Sequence, residues 1–132
     1  MSKSLIQVAN QSNVTVADNS IIPLGSTQRR YGCNLRLSGN GIEVTGAGYY
    51  TVIADVSISP TAAGAVKVAI YNNGVQIPGA IAYTTGTAGD PVSVSLNCTV
   101  RQMCCDSADN LTLVLIEGAG TVNNVSMRVE KA

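Results

Sequence analysis

Histidine, tryptophan and phenylalanine are all absent from this chain of 132 residues. Without histidine, the Ser–His and Cys–His arrangements of nucleophilic catalysis and histidine-based acid–base chemistry are excluded. The carboxylates are few and scattered, so that no pair of them indicates a glycosidase-like site. They are Asp18, Glu43, Asp55, Asp90, Asp106, Asp109, Glu117 and Glu130. We therefore predict that the chain is not an enzyme and holds no cofactor.

Charged residues are also scarce, at 12% of the chain, whereas about 25% is usual in soluble domains. So little charge covers the surface of a monomer poorly, which leaves a protein within an assembly or a membrane protein. No apolar run approaches the roughly 18 residues that a spanning helix needs, so we predict a buried subunit interface instead. The net charge is zero, which argues against a general nucleic-acid binder.

The first residues, MSKSLIQVANQS, contain one lysine and no long apolar stretch, unlike a secretory signal peptide. The expectation is synthesis in the cytoplasm, followed by action there or by release without the Sec route, for example within a particle. Without secretion, the five N-x-S/T sequons are not expected to carry glycans. They begin at Asn10, Asn13, Asn97, Asn110 and Asn124.

The four cysteines, Cys33, Cys98, Cys104 and Cys105, do not have the spacing of a zinc site. We favour free, buried or half-buried thiols over disulfides, because cysteine packs as a small apolar residue and the cytosol is reducing. Asp106, Asp109 and Asn110 could supply oxygen ligands to Ca²⁺, but such residues in a short connection more often form a turn. We therefore predict a turn and no metal.

The most regular segment is GYYTVIADVSISP, residues 48–60, in which apolar residues occupy every second position. This period of two predicts a β-strand in the middle of a sheet. Shorter alternating runs follow along the chain, separated by turn signals such as SGNG at 38–41 and Asn73–Gly74. No segment has a helical period. We predict one domain over residues 1–132, an all-β antiparallel two-sheet sandwich of about ten strands, in which residues 1–24 complete the sandwich.

Some of these strands are apolar on both faces, and a strand of that kind can bury one face in the core and the other against a neighbouring subunit. Tyr49, Ile53, Val114 and Ile116 are the candidates for the second face. The alternative is that individual members of this group lie under loops of the same chain.

Three segments resemble the jelly roll shared by tumour necrosis factor and the complement globular head: GIEVTGAGYYTVIADVSIS, VKVAIYNNGVQIPG and VSVSLNCTVRQMCCDSADNLTLVLI. In that family a G-x-Y-type strand precedes a strand that ends in a hairpin, and then come a strand, an acidic turn and an aliphatic strand. Here these elements are residues 48–59, 66–74, 92–101, 106–110 and 111–116, and the resemblance covers about residues 40–130.

The resemblance implies a compact homotrimer and, among bacterial and phage members, a capsid decoration protein, a head fibre or a spore-surface tip. Because the chain has no phenylalanine or tryptophan, no receptor-binding residue is carried over. The prediction is a structural protein on a virion surface. The alternatives are a trimeric module that recognises host glycans or proteins, and a spore- or cell-surface domain.

Two small groups of residues bear on these alternatives. Arg29, Arg30 and Arg36 form the only basic cluster and could attach the protein to an acidic particle shell, or could simply lie in a solvated loop. Tyr31, Tyr71 and Tyr83 are the aromatic residues that a binding module could expose. We expect no contact with nucleic acid or membrane.

Overall fold

The computed structural model describes residues 3–103 and 109–132, in which all regular structure is β. Twelve strands form two antiparallel sheets. The predicted all-β sandwich is therefore confirmed, with two strands more than expected. Among the described residues, no helix is long and apolar enough to cross a membrane.

The first sheet has the strand order β10-β7-β12-β1-β4, with β2 paired to β12. Its strands are β1 (Leu5–Asn10), β2 (Val14–Val16), β4 (Ser26–Tyr31), β7 (Gly48–Pro60), β10 (Val92–Gln102) and β12 (Gly120–Lys131).

The second sheet has the order β5-β6-β11-β8-β9, with β3 paired to β11. Its strands are β3 (Ser20–Ile21), β5 (Leu35–Ser38), β6 (Gly41–Val44), β8 (Gly64–Asn72), β9 (Val75–Gly86) and β11 (Asp109–Glu117).

β7 is the central strand that the alternation predicts, with the predicted bounds Gly48–Pro60. It pairs with β10 on one side and with β12 on the other. Its even-numbered residues from Tyr50 to Ile58 are buried in the core, whereas Tyr49, Thr51 and Ile53 point to the opposite side. One strand therefore supplies both a row of the core and a row of an outer surface.

The core lies between the two sheets and consists almost entirely of aliphatic side chains. Leu111, Leu113 and Leu115 of β11 face Val52, Ala54 and other inward residues of the first sheet and are fully buried. Burial of such a side chain contributes roughly 1.5–3 kcal/mol, so this layer is the main source of stability.

The hairpin predicted at Asn73–Gly74 forms between β8 and β9, and both residues have positive φ angles, 52° and 83°. These are the angles that favour asparagine and glycine in a tight turn. The Asn73 side chain also accepts a hydrogen bond from the Asn110 backbone N–H at 3.0 Å. The turn is thereby tied to the start of β11.

Three strands differ from the sequence pattern. β4 forms as an edge strand in a segment that is polar throughout. β9 continues through Pro78 and Gly79, where its pairing with β8 shifts register. β12 begins at Gly120, earlier than the alternation that is visible from Val125. Edge strands and bulges tolerate proline and glycine, which explains the continuation of β9.

The described cysteines are free thiols, with Cys33 exposed and Cys98 half-buried. Cys104, Cys105 and Asp106 lie outside the described residues, and so does most of the connection predicted as a turn without metal. Asp109 and Asn110 begin strand β11, where the sequence predicts a turn.

Candidate functional site

The outward side chains of β10, β7, β12, β1 and β4 form a broad surface, called here the first outer face. Strand register places one row of residues straight across it. The row runs Arg29, Gln7, Arg128, Ile53, Asn97. The only aliphatic residue of this row therefore lies among polar neighbours, and it is only partly buried.

A depression of about 200 Å³ lies beside Ile53 and is lined also by Gln7, Asp55, Ser126 and Arg128. No ion pair of Arg128 is present among the described residues, and Asp55 accepts a hydrogen bond from the Ser95 hydroxyl at 2.6 Å. The depression thus combines an apolar floor with one positive and one negative side chain.

Hydroxyl groups cover much of the rest of this face. The Ser57 and Ser93 hydroxyls lie 3.0 Å apart across β7 and β10, and the Asn123 amide donates to the Ser59 hydroxyl at 2.8 Å. These are short side chains on well-paired central strands. Such hydroxyl groups cost less to desolvate on contact with another protein than ions of the same face such as Arg29, Asp55, Arg101 and Arg128.

Tyr49 stands at one end of the first outer face with 53% of its surface exposed. The Arg101 guanidinium lies over its ring, 5.6 Å from the ring centre. The pair holds an aromatic ring in a fixed position at the surface, where it is available for contact with another molecule.

The outward side chains of β5, β6, β11, β8, β9 and β3 form the second outer face. The row across its centre is apolar, unlike the corresponding row of the first outer face. It consists of Ile21, Val114, Ala69 and Ile81. Val114 is only 8% exposed and Ala69 is fully covered, because their neighbours in the row shield them.

Lys67 lies at the centre of a small cluster beside that row. Its Nζ atom is 3.5 Å from a Glu117 carboxylate oxygen and 5.2 Å from the centre of the Tyr83 ring. A β-bulge at Ile116 brings Glu117 opposite Lys67, so the bulge creates the ion pair. Tyr83 is 66% exposed, and Tyr71 lies on the same face.

The structure divides the four residues predicted for a subunit interface between two surfaces. Tyr49 and Ile53 lie on the first outer face, whereas Val114 lies on the second and Ile116 is the bulge residue of the same strand. The outer faces of a sandwich point in opposite directions, so the four residues do not form one patch, and their place in a subunit contact stays a prediction. Val114 is moreover covered by its own chain.

The structure also separates the three arginines of the basic cluster. Arg29 projects onto the first outer face, and Arg36 pairs with Glu43 at 3.2 Å on the second outer face. Arg30 lies between the sheets at their edge, where its Nε donates to the Leu35 carbonyl at 2.6 Å. They therefore do not form one patch, and their role in attachment stays a prediction.

Burial shifts the proton affinity of two described groups. It raises the pKa of the Tyr50 phenol, more than the hydrogen bond with Asn34 lowers it. The same phenol donates to the Gly46 carbonyl at 2.6 Å. Burial also raises the pKa of the Cys98 thiol, which makes its nucleophilic thiolate form scarcer.

Sequence reasoning missed Lys67, Arg101 and Arg128 as members of these surfaces. Each occupies an outward position of an alternating strand, a signal that the sequence does contain. Their neighbours on the adjacent strands depend on register, which alternation alone does not give. No group of three metal-ligating side chains occurs within residues 3–103 and 109–132.

No protein-family model and no curated protein match this chain. Solved structures match it along nearly its whole length. Murine APRIL has a TM-score of 0.78 at 12% identity, over 99% of this chain and 100% of that chain. The globular domain of the zebrafish complement 1qA protein has a TM-score of 0.72 at 8% identity, over 96% and 94%. The PRD1 vertex protein P5 has a TM-score of 0.66 at 14% identity, over 97% and 96%.

These similarities, at such low identity, define the class of fold. The chain is a jelly-roll sandwich of the kind found in tumour necrosis factor and the complement globular head, as the resemblance in its sequence predicts. The PRD1 vertex protein P5 shares this fold as well.

Proposed function

We propose that this chain is a non-enzymatic subunit of a homotrimer displayed on a particle surface, as a phage capsid decoration or head-fibre protein. The observation that carries the proposal is the first outer face. A wide, five-stranded surface leaves Ile53 partly uncovered at its centre, and Tyr49 half-exposed at one end. Contact with other copies would cover both residues.

Closed symmetry decides which surfaces take part. A three-fold ring needs two contact surfaces inclined to each other, whereas contact between opposite faces produces an open stack. The first outer face of one subunit therefore meets a lateral part of its neighbour, not the second outer face. Tyr49 and Ile53 belong to the trimer contact in this arrangement, and the second outer face stays accessible.

Oligomeric mass tests the trimer directly. Light scattering at micromolar concentration is expected to give three times the mass of one chain, and Ile53→Asp is expected to shift the protein to monomers. The matched control is Val75→Asp, which changes a residue 69% exposed at the β8–β9 hairpin and leaves the trimer intact. A monomer mass for the unaltered chain contradicts the proposal, as does an equal effect of the two variants.

A trimeric binding module for host glycans or proteins is the second candidate, and the second outer face favours it. Tyr71, Tyr83 and Ile81 are grouped there beside Lys67, while Tyr31 lies on the other sheet. Electron microscopy of the native particle separates the two functions. A binding module presents the second outer face away from the particle, whereas decoration alone requires no such orientation.

A further inference from the structure

Strand β4 forms an open edge of the sandwich. Its six residues, Ser26–Tyr31, are all exposed, and among the described strands only β1 pairs with it. The edge strands at the other side, β9 and β10, lie against each other. An open edge presents unpaired N–H and C=O groups, and these can bind another extended strand.

The charge of this edge is strongly one-sided. Arg29 and Arg30 lie side by side on β4, and no acidic residue occurs from position 19 to position 42. Because successive residues of a strand point to opposite faces, the two arginines flank the edge on both sides. Arg29 lies beside Gln7 on the outer side, and Arg30 beside Ile6 on the inner side.

Charge excludes a second copy of β4 as the occupant. Pairing of two such strands would bring four arginines into one short ladder, and like charges on adjacent strands destabilise it. Acidic side chains on an incoming strand would instead form cross-strand pairs with Arg29 and Arg30. The edge therefore disfavours pairing with a second copy of β4 and favours a strand of opposite charge.

A polar cleft of about 480 Å³ adjoins the start of this edge. Ser26 and Gln28 of β4 line it together with Asn10, Gln11 and Ser12. Amide and hydroxyl groups of this kind can satisfy the polar backbone of a chain that continues beyond the paired residues. The cleft and the edge thus share Ser26 and Gln28.

We propose that β4 binds an extended strand of a partner protein that carries two adjacent acidic residues, one opposite Arg29 and one opposite Arg30. The pairing adds a strand to the first sheet. It rests on the proposed function only in placing that partner in the particle shell. The binding chemistry itself depends on β4 alone.

The test uses the whole chain and a synthetic decapeptide of alternating threonine and valine with a central Glu–Asp pair. Calorimetry is expected to show binding, which weakens by about tenfold or more when Lys–Lys replaces Glu–Asp or when alternate peptide nitrogens are methylated. Amide hydrogen exchange should slow in residues 26–31. Equal binding of the methylated peptide overturns the proposal, because it shows attraction without strand pairing. Absence of binding overturns it too.

Charge reversal in the protein provides the second arm. Arg29→Glu is expected to weaken binding of the acidic peptide by about tenfold and to strengthen that of the lysine peptide. Among the described residues, the Arg29 side chain donates only to the neighbouring Gln28 carbonyl, so the fold does not depend on this side chain. Arg36→Glu is the control outside the edge. Light scattering on the same samples reports the trimer separately, so either proposal can fail alone.

Discussion

The two outer faces differ in the solvent exposure of the aliphatic residue at their centre. On the first, Ile53 lies between Arg128 and Asn97 and stays partly uncovered. On the second, Val114 lies between Ile21 and Ala69 and is almost completely covered. Apolar neighbours on adjacent strands shield each other, whereas polar neighbours leave an apolar side chain open. The first face therefore leaves Ile53 partly open to solvent, whereas the second shields its centre within one chain.

The largest expected effect is a difference in stability between two positions of β11. In a monomeric Ile53→Asp background, Val114→Asp should lower the free energy of unfolding by at least about 3 kcal/mol, since it buries an unpaired charge. Thr112→Asp, which changes an outward residue of the same strand, should cost less than about 1 kcal/mol. Urea unfolding of the three proteins measures both. Equal losses would mean that the second outer face is not shielded at its centre.

The second largest expected effect is the loss of stability on replacing Tyr50. This residue is buried in the core, on the side of β7 opposite to Ile53. Tyr50→Phe should cost about 1 kcal/mol at neutral pH, because the hydrogen bond to the Gly46 carbonyl is lost. The folded state also raises the pKa of this phenol above its ordinary value of 10.0, so it holds the proton more tightly than the unfolded chain does.

The raised pKa of Tyr50 makes the free energy of unfolding fall with pH in the alkaline range. The stability linked to this phenol is fully present below pH 10 and is lost as the pH rises beyond it. Unfolding curves collected from neutral to strongly alkaline pH should therefore fall less steeply above pH 10 in Tyr50→Phe than in the unaltered chain. Identical slopes would show that the phenol titrates alike in both states.

The sequence predicted the parts of the fold that depend on alternation and turn chemistry. The bounds of β7, the inward rows of β10 and β11 and the turn at Asn73–Gly74 follow from side-chain period and from glycine and asparagine. Alternation says which residues share a face of one strand. It does not say which strand lies alongside, and that decides whether an outward residue is covered.

The same limit explains why the candidate residues lie on different surfaces. Ile53 and Val114 have equivalent patterns in sequence, yet one pairs with polar and the other with apolar neighbours. The bulge at Ile116 cannot be read from composition either. Arg29, Arg30 and Arg36 are close in sequence, but a change of sheet between β4 and β5 separates them.

The smallest expected effect concerns the exposed tyrosine of each face. Tyr49→Leu and Tyr83→Leu each remove a ring that lies near a cation, which should cost about 0.5–1 kcal/mol at such exposed sites. The replacements Tyr49→Phe and Tyr83→Phe keep the ring and should cost less than their leucine counterparts.

Protein concentration then distinguishes the faces. If Tyr49 lies in the trimer contact, the loss from Tyr49→Leu should grow as the protein is diluted, because dissociation is coupled to unfolding. The loss from Tyr83→Leu should be independent of concentration, since its partner Lys67 belongs to the same chain. Thermal unfolding over a hundredfold dilution series measures both. A concentration dependence that follows Tyr83 instead would place the subunit contact on the second outer face.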